Sequence, residues 1–127
     1  MRNSRGAKKP KLTKRHLHDE QTDLARKIER KIADLKSSRI TSMQFIQQTG
    51  STFSEFFKRI ENCFPEEMLT EAFPKAYPFE DLRTNFQDRL NELSGENRDG
   101  MVADEVFTAS LVSITEEFLN QVTGAAQ

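Results

Sequence analysis

Leu24, Ile28, Ile32, Leu35, Met43 and Ile46 fall at steps of four, four, three, four, four and three once Arg39, the one polar residue in the register, is included. Only a helix repeats in this way, because a strand alternates every second residue. The stripe predicts one helix from Leu24 to Ile46, about 35 Å long at 1.5 Å per residue. A stripe of that length cannot cover itself, so it calls for other helices, in this chain or in another protein. Leu24, Leu35 and Ile46 are eleven residues apart, a spacing that favours straight packing over a left-handed heptad coil.

The rest of the chain predicts further helices. Asp19, Glu20 and Asp23 would open the first, with Thr22 as its N-cap, and Gly50 would end it. Thr52-x-x-Glu55 reads as the capping box of a second, with Phe53, Phe56, Phe57, Ile60, Cys63 and Phe64 along one face. Pro65 would begin a short helix carrying Met68, Leu69, Ala72 and Phe73 inward, and Pro74 would end it. After Pro78 a third long helix would bury Phe79, Leu82, Phe86, Leu90 and Leu93 and close at Gly95. A polar loop over 94–100 precedes a last helix at about 101–122, with Phe107, Leu111, Ile114, Phe118 and Val122 buried and Val102 and Val106 widening the stripe. No alternating apolar and polar run marks a strand.

The expected fold class is all-α: a helical bundle of about four main helices over residues 19–123, a disordered basic arm over 1–18 and a frayed tail over 124–127. Only 35% of residues are apolar and 31% are charged, so the core should be modest, and ten phenylalanines supply its bulk.

Charge is divided along the chain. Residues 1–40 hold thirteen Lys and Arg against five Asp and Glu, a net +8, while residues 41–127 carry a net −9. Arg2, Arg5, Lys8, Lys9, Lys11, Lys14 and Arg15 are the candidate nucleic-acid contacts. The same run fits an import signal, which would place the protein in the nucleus. The bland reading is a solvated tail. One cysteine, Cys63, permits no internal disulfide and suits a reducing, intracellular compartment.

No catalytic constellation is legible. His16 and His18 form a lone His-x-His pair with no further ligand nearby. Cys63 sits on an apolar stripe, as a packed thiol would. Glu66-Glu67 and Glu116-Glu117 are neighbours in sequence and so diverge on a helix. Asn97-Arg98-Asp99-Gly100 lacks the remaining ligands of a calcium loop. The expectation is a protein without enzyme activity, cofactor, metal, small-molecule substrate or membrane span. Its partners would be other helical subunits, held through Leu24, Ile28, Ile32, Leu35, Met43 and Ile46. Ile28→Asp or Leu35→Asp should then abolish partner binding. The alternative is DNA, RNA or nucleosome binding through the basic arm.

The run Asp23-Leu24-Ala25-Arg26-Lys27-Ile28-Glu29, continued through Ile32, Leu35, Ser37 and Arg39, resembles the N-terminal helix of Borealin-type chromosomal passenger subunits. The likeness covers residues 23–39, and Lys27 stands where that family has an acidic residue. It implies a helix bundled with Survivin and INCENP at centromeres during cell division. Partner contacts would fall on Leu24, Ile28, Ile32 and Leu35, and chromatin contacts on the Lys and Arg of residues 2–15.

Overall fold

The computed structural model of the protein describes residues 13–124. Its described residues are all-helical: α1 Lys14–Lys36, α2 Ser42–Cys63, α3 Glu66–Ala72, α4 Glu80–Arg98 and α5 Asp104–Thr123. Four are long and α3 has 7 residues.

The single rod expected from Leu24 to Ile46 is two helices. The chain leaves α1 after Lys36 and turns back at Ser38, whose φ is +62°. Thr41 then starts α2: its backbone N–H donates to Gln44 Oε1 at 2.9 Å, and the Gln44 N–H donates to Thr41 Oγ1 at 3.1 Å. This capping box satisfies donors that a helix start leaves open. The residues that make it, Thr41-x-x-Gln44 behind Ser37-Ser38, lie inside the apolar register of the expected single rod.

Four other expected boundaries move. Gly50 lies inside α2 and Gly95 inside α4, and neither helix ends there. Thr52 is likewise interior, with its hydroxyl donating to the Gln48 carbonyl at 2.9 Å. Helix propensity is a weak force beside tertiary packing. α2 runs on to Cys63, where Phe64 and Pro65 stop it, and α4 runs on to Arg98, just before Gly100, which takes positive φ. α1 also starts earlier than residue 19. Thr13 precedes it in extended backbone and donates its N–H to His16 Nδ1 at 2.9 Å, so His16 fills the place a Glu or Gln takes in a capping box. Leu17, seven residues before Leu24, is buried on the same stripe. Residues 13–18 therefore belong to the helical domain, not to a disordered arm. The remainder of the arm, 1–12, and the tail residues 125–127 lie outside the described residues.

α1 and α2 form an antiparallel hairpin, with Glu20 facing Arg59 at 3.5 Å. α5 runs against the other side of α1, where Gln21 Nε2 donates to the Val122 carbonyl at 3.2 Å. α4 pairs with α5 and is tied to it by Arg89 and Glu117 at 2.9 Å. α2 meets α4 and the residue capping its start chiefly through rings: Phe53 lies 5.7 Å from Phe86 of α4, and Phe57 4.7 Å from Phe79, the N-cap of α4. Phe118 of α5 completes this centre, stacked on Phe86 at 4.1 Å and edge-on to Phe53 at 4.6 Å.

All ten phenylalanines are buried, each worth about 1.5–3 kcal/mol relative to exposure. Leu69, Phe73 and Phe79 cap one end of the core from α3 and the segment after it. Thr49 and Thr115 are buried with their hydroxyls satisfied by the carbonyls of Phe45 and Leu111, so neither is left wanting a partner.

Candidate protein-interaction site

Leu24, Ile28, Ile32 and Leu35 are covered by this chain's own helices, Ile28 completely. They are core residues and offer no surface to a partner. The hairpin at residues 37–41 is the reason, because it folds the second half of the expected rod back onto the first. Ile46 is half-buried against the same core. Met43, freed from the register by the turn, is 64% exposed. Of the six residues expected to hold a partner, Met43 is the one that stands open to solvent.

The α1–α2 turn and the start of α5 share one groove, so the α1–α2 and α4–α5 turns lie at the same end of the molecule. The large apolar side chains exposed among the described residues, Met43, Met101 and Val106, all belong to that end. Each turn is pinned. Thr41 and Gln44 hold the first. Asn97 holds the second, its Nδ2 donating to the Val102 carbonyl at 2.9 Å and to Asp104 Oδ1 at 3.0 Å. Val106 stays exposed instead of widening the α5 stripe, whereas Val102 is half-buried. Between the α1–α2 turn and the start of α5 lies a groove of about 760 Å³, with Leu35, Ile40, Ala109 and Val112 among its apolar walls and Lys36 and Glu105 on its rim.

The basic candidates are placed only in part. Arg2, Arg5, Lys8, Lys9 and Lys11 lie outside the described residues. Lys14 and Arg15 are exposed in the first turn of α1, at the end opposite Met43, and Lys14 pairs with Glu71 at 2.6 Å. Cys63 is half-buried at the edge of the core.

No family model matches the chain, and neither a curated protein nor a solved structure matches it.

The shifted acid–base groups belong to pairs and packing. A hydrogen bond from Lys27 holds the Asp23 carboxyl below the usual range, against an opposing cost of desolvation. A hydrogen bond from Lys14 does the same for Glu71. The cleft beside Asp23, between α1 and α2, encloses about 10 Å³, too little for a substrate. Among the described residues no cluster of His, Cys, Asp and Glu is arranged to hold a metal ion, and no helix is long and apolar enough to cross a membrane.

Periodicity points to Met43 only as a member of the stripe, not as a side chain left in solvent; Val106 is expected on the α5 stripe and stands exposed instead, and Met101 belongs to no stripe. The exposure of the last two, beside the Gly100 turn, is legible only once the turn is known to face the other one.

Proposed function

We propose that this protein is a non-enzymatic interaction subunit, a helical bundle that receives a helix of a partner protein at the end carrying Met43. The observation that carries this reading is that Met43, Met101 and Val106, each exposed, all belong to the end of the molecule where a groove with Leu35, Ile40 and Val112 in its walls lies between the α1–α2 turn and the start of α5. Exposed apolar residues scattered singly need no explanation, but three at the same end of a bundle, with a concave surface there, suit a docking site. Methionine suits the role, since its unbranched side chain adapts to different apolar contours.

The test is affinity purification of the tagged full chain with mass spectrometry, repeated with Met43→Glu/Val106→Glu. Both positions are exposed, so the double variant should keep its circular dichroism. Proteins recovered by the wild type should be lost. An identical set from both chains would reject this surface.

Work in the nucleus, in a chromosomal or centromeric complex, is the setting we favour. It is supported by the basic leader and by the likeness of residues 23–39 to Borealin-type subunits. The partner contacts that the likeness implies on Leu24 to Leu35 are not part of the proposal, because those side chains are buried here.

The charge split favours a second reading, in which Arg2, Arg5, Lys8, Lys9, Lys11, Lys14 and Arg15 bind nucleic acid. It requires affinity for duplex DNA or RNA that falls steeply with salt, through counterion release. Undetectable binding by the full chain at low salt would exclude it.

A further inference from the structure

The stretch from Lys36 to Ser42, which turns the chain from α1 into α2, holds the hydroxyls of Ser37, Ser38, Thr41 and Ser42 beside the cations Lys36 and Arg39. Ser42 is set apart in the sequence. Of all the serines and threonines in the chain, it alone has an arginine three residues before it, and an apolar residue, Met43, follows it. Kinases choose among hydroxyls by such patterns of charge. An arginine in that place, with an apolar residue after the hydroxyl, is what an arginine-directed kinase reads.

The fold leaves this pattern within reach. Residues 37–41 lie outside both helices. Arg39 is 77% exposed, and its pairing with Asp34 at 3.7 Å is a loose surface contact that another carboxylate can replace. Met43 stands in solvent on the other side of Ser42. Two neighbouring hydroxyls are engaged: Ser37 Oγ donates to the Asp34 carbonyl at 3.2 Å, and Thr41 Oγ1 accepts from the Gln44 N–H at 3.1 Å. Among the described residues no such bond holds the Ser42 hydroxyl, which lies on the rim of the groove beside the turn. Ser42 is the first residue of α2, where no preceding turn bonds its N–H, and the Thr41–Gln44 box is what keeps this start closed.

We propose that Ser42 is a phosphorylation site for an arginine-directed serine kinase. The kinase's catalytic carboxylate takes the Ser42 proton, Oγ bonds to the γ-phosphorus of Mg-ATP, the bond from that phosphorus to its bridging oxygen breaks, and ADP leaves. The product carries a charge of about −1.5 to −2. It stands in the first turn of α2, which has no acidic residue of its own and where the peptide dipoles favour an anion. Lys36 lines the same groove, and Glu105 lies across it. Phosphorylation therefore fastens the α1–α2 turn and does not melt it. The site does not depend on the Met43 surface being a docking site; it places a switchable charge next to that surface.

The full chain is incubated with Mg-ATP and either calmodulin-dependent protein kinase, which is arginine-directed, or an acid-directed casein kinase, and the phosphate is mapped by mass spectrometry. The first kinase should modify Ser42 and the second should not. Arg39→Ala, at an exposed position, should slow the modification about tenfold, the loss of one charge-assisted hydrogen bond to the kinase. Gln44→Ala opens the capping box and leaves Arg39, Ser42 and Met43 in place, so it should speed the modification about two- to fivefold. The phosphorylated chain should melt about 2–4 °C above the unmodified one. No phosphate at Ser42 of the full chain, equal rates for Arg39→Ala and wild type, slower modification of Gln44→Ala, or a lower melting temperature after modification overturns the proposal.

Discussion

Thr41 and Gln44 satisfy each other across the first turn of α2, each donating a backbone N–H to the other's side-chain oxygen, at 2.9 and 3.1 Å. This exchange stands at the point where the Leu24–Ile46 stripe breaks. Thr41→Ala should cost about 1 kcal/mol, within the 0.5–2 kcal/mol range of lost caps. Urea denaturation followed by circular dichroism reads it directly. Gln44→Ala should cost less, and the double variant should cost less than the two single losses added, because either change removes part of the same box.

Ile28 is completely buried between α1 and its neighbours. Ile28→Asp should therefore unfold the protein and not merely release a partner. An unpaired carboxylate in that position costs several kcal/mol, against a total of about 5–15 kcal/mol for a domain. A cooperative thermal transition retained by Ile28→Asp, with native helicity, would contradict the buried position of α1.

Gly50 and Gly100 should respond in opposite directions to the same substitution. Gly50 sits in helix with open space around it, so Gly50→Ala should stabilise by about 0.5–1 kcal/mol. Gly100 takes φ +79° in the α4–α5 turn, where a side chain is strained. Gly100→Ala should destabilise by about 1 kcal/mol. Paired denaturation curves decide the matter, and stabilisation by both would remove the turn argument.

Asp23 titrates below its ordinary range because Lys27 donates to it at 3.0 Å. With the folded pKa depressed, the pair's contribution is present above the unfolded value and is lost as pH falls through the folded one. The side chains are 44–50% exposed, so solvent screening leaves at most a few tenths of a kcal/mol. Carbon-13 NMR titration should show the Asp23 carboxyl moving up in Lys27→Ala and unmoved in Lys14→Ala. The Glu71 carboxyl should behave the other way round, since Lys14 is its partner.

The helical class, the α5 face through Phe107, Leu111, Ile114, Phe118 and Val122, and the burial of the Phe53–Phe64 face were legible from periodicity. That spacing reports which side chains share a side of a helix, and apolar residues sharing a side are driven out of water wherever the helix sits. Glycine marks a helix end only where it takes positive φ, as Gly100 and Gly124 do. Gly50 and Gly95 continue their helices, while the capping of α1 by His16 follows no common pattern.

What periodicity does not carry is the partner. Leu24 and Met43 read alike as members of one stripe, yet Leu24 is sealed in the core and Met43 stands in solvent. The stripe itself required only that apolar residues be covered. Whether the cover came from this chain or another depended on a five-residue turn, Ser37 to Thr41, that folds α2 onto α1. The placing of Met43, Met101 and Val106 at one end was decided by the packing of helices far apart in sequence. Those contacts depend on where backbones lie relative to one another, and no local pattern of residues encodes that distance.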